Sequence, residues 1–317
     1  MAQALVIDTD PGIDDALAIL LALASPEVDV RALSTVSGNV GLAQASANAR
    51  AVLALAGRSE IPVSPGAARP LHRAPAHAEA VHGDDGLGGA PLPRPGPRAD
   101  EIPALAQWEA LTEAPGRVAL AAIGPLTNLA AFTRRFPARV GAFARVVAMG
   151  GGWGVGNVTA TAEFNAWVDP EAMAEVLASG LRPDLLALET TRQARLGERE
   201  IARLRAGGPV GAQAAAWLAA GRRADGCSAP IHDAVAIAAL VRPALVSFRE
   251  VRVEVDCGEE RRGETRISTT GPPNARIAVG FDRAGFAALL ADRLAAAGRR
   301  ADAGPDDPGR QDGSTRR

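Results

Sequence analysis

The chain has 317 residues, 47% hydrophobic and 22% charged, with a net charge of −2. That length holds one large α/β domain or two small ones around a dry core, and the near-neutral charge offers no footing for nucleic acid or an anionic membrane. Every basic residue is arginine, which excludes chemistry built on a lysine Schiff base or a phosphate-loop lysine.

Short apolar runs alternate with Ala/Leu-rich helical patterns. Strands are predicted at 5–7, 28–36, 118–123, 144–149 and 185–188. Helices are predicted at 14–23, 42–55, from about 127, and at 171–178. Apolar strands without polar alternation point to a mainly parallel sheet covered on both faces. Residues 64–100, rich in Pro, Gly, Ala and His, form a long excursion, and such loops are more often functional than idle. Residues 245–255, 265–269 and 276–281 predict a small late β-rich unit before a last helix at 283–297. The polar stretch 298–317 predicts a disordered tail after a domain spanning 1–297.

Cys227 and Cys257 have no CxxC spacing and no histidine in ligand register. They predict neither a disulfide framework nor a zinc site and suit a reducing cytoplasm. No signal peptide is expected at the start, and the apolar run at 16–24 is too short to span a bilayer.

The first strand ends in Asp8-Thr9-Asp10-Pro11-Gly12-Ile13-Asp14-Asp15, four carboxylates in eight residues. A helix start offsets part of their repulsion, and a hard cation bound through oxygens would offset more. The plain reading is a capped, solvated acidic turn. His232-Asp233 opens an apolar helix and, taken alone, reads better as a cap beside a surface histidine. The loop 81–89 carries His82 among glycines. Gly150–Gly152 do not satisfy GxGxxG, so dinucleotide binding is rejected. Asn157, Glu163 and Asn165 bring groups suited to sugar hydroxyls. Thr127, after Gly124-Pro125, reads as a helix cap.

Together DTDPGIDDALAI, SGNV, VHGDDGLGG, GPLTNLA, MGGG…GN, AEFNAWVDPEA and PIHDAVAI resemble, in order, the inosine–uridine-preferring nucleoside hydrolases. The resemblance implies a single α/β domain and hydrolysis of ribonucleosides to free base and ribose. It implies Ca2+ held by Asp10, Asp15, Asp233 and the carbonyl of Ile123, with Asp10 taking a proton from the water. Asp14, Asn39 and Asn165 would grip the ribose diol, Asn157 and Glu163 the 5′ side, and Met149 and Phe164 would line the sugar site. His232, with His82, would face the base, and His232 would protonate or hydrogen-bond to it. A homodimer or homotetramer acting on a small nucleoside follows, with no nucleic-acid or membrane partner.

Two features depart from the family. Glu189 stands where relatives usually carry Asp, and the chain has no tyrosine. Trp153, Trp217 and Arg222 are therefore candidates beside the base, although Trp217 reads better as core. Two rival readings are a non-catalytic nucleoside- or calcium-binding protein and a phosphatase using Asp8-x-Asp10. Gly12 and the lack of lysine count against the phosphatase.

Overall fold

The computed structural model describes residues 2–93, 102–220 and 227–302. Its first half runs β1 (Gln3–Thr9), α1 (Ile13–Leu23), β2 (Val28–Thr35), α2 (Leu42–Leu55), β3 (Val63–Pro65), α3 (Glu79–His82), α4 (Ala104–Leu111), β4 (Val118–Ala122), α5 (Thr127–Arg135) and β5 (Arg145–Met149). The second half runs α6 (Phe164–Val168), α7 (Pro170–Ala178), β6 (Asp184–Leu186), α8 (Leu188–Thr191), α9 (Glu198–Arg205), α10 (Gly208–Ala220), α11 (Ala234–Val241), β7 (Val246–Val255), β8 (Thr265–Ser268), β9 (Ala275–Phe281) and α12 (Arg283–Asp302).

The strands make one sheet in the order β3-β2-β1-β4-β5-β6-β9-β7-β8. Its pairings are parallel from β3 through to β9. Successive strand residues feed opposite faces, and both faces are apolar. Leu5, Ile7, Ala119, Ala121 and Val147 join the core under α1, α10, α11 and α12. Val6, Val118, Leu120, Val146 and Ala148 join the core under α5 and α7, where Trp108 of α4 also sits. This explains why no polar alternation marks these strands. The chain winds outward from β1 to β3 on one side, then returns to β4 and winds outward on the other. Ligands bind at such a switch point, outside the carboxyl ends of the two central strands.

Several expectations are corrected. The strand expected at 185–188 is Asp184–Leu186, and Leu188 already opens α8. The late β-rich segments form as expected and join the main sheet: β9 pairs parallel with β6, and β7 and β8 extend it antiparallel. The excursion at 64–100 contributes β3 residues and the short α3, and part of it, 94–101, lies outside the described residues. The last helix runs past 297 to Asp302, and residues 303–317 of the expected tail lie outside the described residues. Among the described residues no helix is long and apolar enough to cross a membrane.

Phe132 sits fully buried among Trp108, Phe136 and Phe143, with ring centroids 5.2 to 5.6 Å from its own. Replacing it with alanine removes that packing and leaves a cavity. Phe132→Ala is expected to lower unfolding free energy by about 3–5 kcal/mol in urea titrations.

Candidate active site

β1 ends where Pro11 removes a ladder donor. The chain then turns into α1, whose first-turn N–H groups have no helical partners. Asp15 answers them. Its Oδ2 accepts from the Gly12 N–H at 2.9 Å and the Asn39 side-chain amide at 3.0 Å. Its Oδ1 accepts from the Thr9 hydroxyl at 2.6 Å and the Asp10 N–H at 3.3 Å.

Asp10 is held differently. Oδ2 accepts the Asn39 N–H at 2.6 Å, while the buried Oδ1 has no hydrogen-bond partner among the described residues. Glycine walls it on both sides: a Cβ on Gly38 would lie 2.0 Å from Oδ2, and one on Gly124 2.6 Å from Oδ1. These glycines are required by close approach to the carboxylate, not by their φ angles. Gly124 follows Ile123 at the end of β4, so the two central strands meet at this side chain.

Asp233 arrives from the other end of the sequence. It sits at the N-terminus of α11 and is buried, yet it makes no capping bond. Carboxylate oxygens of Asp14, Asp15 and Asp233 lie within 4.8 Å of one another, close enough to hold one metal ion. This set brings in Asp14, expected from the sequence only as a sugar ligand; Asp10 borders it. Burial, then the charges of Asp15 and Asp14, drives the Asp10 carboxyl well above its ordinary range. Burial, then Asp14, Asp15 and Asp10, does the same to Asp233. Burial followed by Asp14 raises Asp15. Oxygen donors crowded at this energetic cost, with one oxygen left unpaired, fit a hard divalent cation.

Around the carboxylates stand the other residues singled out from the sequence. His82 accepts the Ile13 N–H on Nδ1 at 3.2 Å, and its Nε2 lies 3.9 Å from Asp14. His232 is desolvated, which lowers its pKa and favours the neutral ring, and its Nδ1 lies 2.8 Å from the Thr191 hydroxyl. Asn165 donates to the Ile123 carbonyl at 2.9 Å and the Met149 carbonyl at 3.2 Å, with the Met149 sulfur at 3.6 Å. A carbonyl has two lone pairs, so Ile123 keeps one free for a ligand.

Glu163 serves the backbone. Its two oxygens accept the N–H groups of Gly151, Asn165 and Ala166, and burial still raises its pKa. Asn157 is exposed and spends its carbonyl on the N–H of Phe164, itself half-buried. Thr127 does not cap α5, for its hydroxyl donates to Asp169 at 2.7 Å. Trp217 is core, as expected, and its indole N–H reaches the Leu87 carbonyl at 3.1 Å. The backbone N–H of Trp153 donates to Glu189 Oε1 at 2.6 Å. Arg222 lies outside the described residues.

Thr9, Gly38, Gly124 and Thr191 complete the site without having been singled out. Gly38 and Gly124 lie inside recognisable motifs, but their role depends on a neighbour's position, which spacing does not encode. Thr191 carries no local signal.

The sequence profile described as inosine-uridine preferring nucleoside hydrolase matches residues 5–288. The chain belongs to this family. It is a nucleoside hydrolase enzyme. It is 39% identical to a protein named pyrimidine-specific ribonucleoside hydrolase RihA from Citrobacter koseri, over 93% of this chain and 99% of that one. The RihA of Salmonella arizonae is likewise 39% identical over the same shares. Among solved structures, a plant nucleoside hydrolase superposes with a TM-score of 0.86 at 32% identity, covering 93% of this chain and all of that one. A purine-preferring ribonucleoside hydrolase from Gardnerella vaginalis gives 0.88 at 27%, covering 94% of this chain and all of that one.

Beneath the site of this nucleoside hydrolase, Asp8 is buried. Its Oδ1 accepts from Ser34 at 2.6 Å and Asn128 at 2.8 Å, and Oδ2 has no partner among the described residues. Burial, opposed by those two bonds, lifts its pKa from 3.8 to about 7. The folded state therefore keeps this proton where the unfolded chain has lost it. The group's contribution is full below pH 3.8 and is lost as pH rises to about 7. The slope is about 1.4 kcal/mol per pH unit inside that window. In metal-stripped protein, Asp8→Asn is expected to flatten stability against pH between those limits; an unchanged slope in urea titrations would contradict the assignment.

Proposed function

We propose that this nucleoside hydrolase cleaves the N-glycosidic bond of pyrimidine ribonucleosides with a calcium ion at the carboxyl ends of β1 and β4. The carrying observation is the buried, unpaired Asp10 Oδ1 beside three further carboxylates that converge within 4.8 Å. Asp15 and Asp233 would hold the ion with Asp10 and the Ile123 carbonyl, and Asp14 is close enough to share it. When bound, such an ion orients the vicinal diol of ribose and polarises a water. The pyrimidine preference rests on the names of the RihA relatives; uridine is the substrate this preference shares with the wider family. Two cysteines without CxxC spacing fit a reducing cytoplasm as the working compartment.

The remaining steps belong to the chain's own side chains. Breaking the C1′–N bond develops oxocarbenium character on the sugar, and the acidic cluster stabilises that charge. Asp10, with a free oxygen and a raised proton affinity, takes a proton from the attacking water. Asp14, Asn39 and Asn165 contact the sugar hydroxyls; Met149 and Phe164 pack beside the ring. Glu163 and Asn157 shape the 5′ side mainly by fixing the backbone of 150–166, since their acceptors are already engaged. His232 and His82 face the base, and His232 donates a hydrogen bond to it as it leaves.

Chelator treatment is expected to abolish ribose release from uridine, and calcium to restore it; full activity after chelation would remove the ion from the mechanism. Asp10→Asn is expected to lower kcat by about 10²–10⁴-fold. On a panel of nucleosides, uridine and cytidine should exceed inosine, and 2′-deoxyuridine should turn over poorly for want of a hydroxyl ligand. Equal rates on ribo and deoxy substrates would contradict the diol contact.

Gly38 offers a separate check on the geometry. Gly38→Ala drives a methyl group into Asp10, whereas a Cβ on Gly41 meets nothing within 4 Å. Calcium affinity by calorimetry should fall at least about tenfold in Gly38→Ala and stay at the wild-type value in Gly41→Ala.

A further inference from the structure

We propose that Thr191, which among the described residues hydrogen-bonds to none of the carboxylates or sugar-site residues, is a positioning residue that fixes the His232 ring with its proton on Nε2. This rests on the reading of His232 as hydrogen-bond donor to the departing base.

Thr191 closes α8 and is fully buried, and His232 precedes α11; the two helices meet at the 2.8 Å contact between Oγ1 and Nδ1. A hydroxyl has one proton. The Thr191 N–H is spent on the Ala187 carbonyl, while its hydroxyl has no other hydrogen-bond partner among the described residues. If Nδ1 carried the ring proton, the hydroxyl would accept it and bury its own hydrogen without an acceptor, at a cost of about 1–3 kcal/mol. The hydroxyl therefore donates and Nδ1 accepts. Nε2, which makes no other hydrogen bond among the described residues, becomes the N–H of the neutral ring. A neutral imidazole in this tautomer can stabilise negative charge on the base as the C–N electron pair moves into it. No proton need leave the ring: Asp10 receives the water's proton, and the released base is protonated from solvent.

Three variants and two substrates test this. Thr191→Val keeps the shape and removes the hydroxyl; Thr191→Ser restores it; His232→Ala removes the donor. Uridine needs help for its leaving group, whereas 4-nitrophenyl riboside releases a stable phenolate and does not. Thr191→Val is expected to lower kcat on uridine about 10- to 100-fold with KM nearly unchanged, and to stay within about twofold of wild type on the nitrophenyl substrate. Thr191→Ser is expected to recover uridine turnover. Nitrogen NMR of histidine-labelled protein without substrate should show the Nε2–H form for His232 in the wild type and Thr191→Ser, and a mixture in Thr191→Val. Equal losses on both substrates, or an Nδ1–H ring in the wild type, would overturn the proposal. If His232→Ala slows uridine but Thr191→Val does not, the positioning role fails and the donor role stands. Uridine turnover untouched by His232→Ala overturns the donor role, and the positioning role with it.

Discussion

Repulsion among buried carboxylates is the constraint around which this structure is arranged. Two like charges about 4 Å apart cost about 4 kcal/mol at the effective dielectric of a protein surface region. Here Asp10, Asp15 and Asp233 are all buried, with Asp14 half-buried beside them. The sheet's switch point is a suitable place for such a cluster. Strands diverge there, α1 presents its N-terminal N–H groups, and loops from both halves of the sheet converge.

The carboxylates divide into two kinds by what they already hold. Asp15 accepts four bonds from Thr9, Asp10, Gly12 and Asn39, so its orientation is fixed before any ligand arrives. Glu163 is similarly committed to three backbone N–H groups. Asp10 keeps an oxygen without a partner among the described residues, and Asp233 caps nothing. Groups with complete bonds hold the shape; groups with open valences are the ones available to ligand and substrate.

Much of this was legible in the sequence. The uninterrupted apolar strands announced a sheet covered on both faces, and the acidic turn after the first strand marked where chemistry would sit. The alternation of Leu5, Val6 and Ile7 between two cores shows why no polar periodicity appeared. The late strands were legible as strands, but local alternation does not say which neighbour they join; the pairing of Ala275–Phe281 with β6 puts them in the main sheet. Asp14 as a metal neighbour, and Gly38 and Gly124 as walls, depend on distances between segments that the linear pattern does not contain. Thr127 looked like a cap because it follows a strand, but a buried acceptor on Asp169 competed for its hydroxyl and won.

Asn48 of α2 gives its side-chain N–H groups to the Pro11 carbonyl at 2.9 Å and the Asp85 carbonyl at 2.8 Å. One amide thus fastens the acidic turn and the His82 loop to the same helix, while Trp217 secures that loop from α10. Local opening of either segment exposes an unsatisfied donor on the other's anchor, so the two share one free-energy cost of opening. The acidic turn and the His82 loop are held to one another by a side chain of a helix that itself carries no carboxylate.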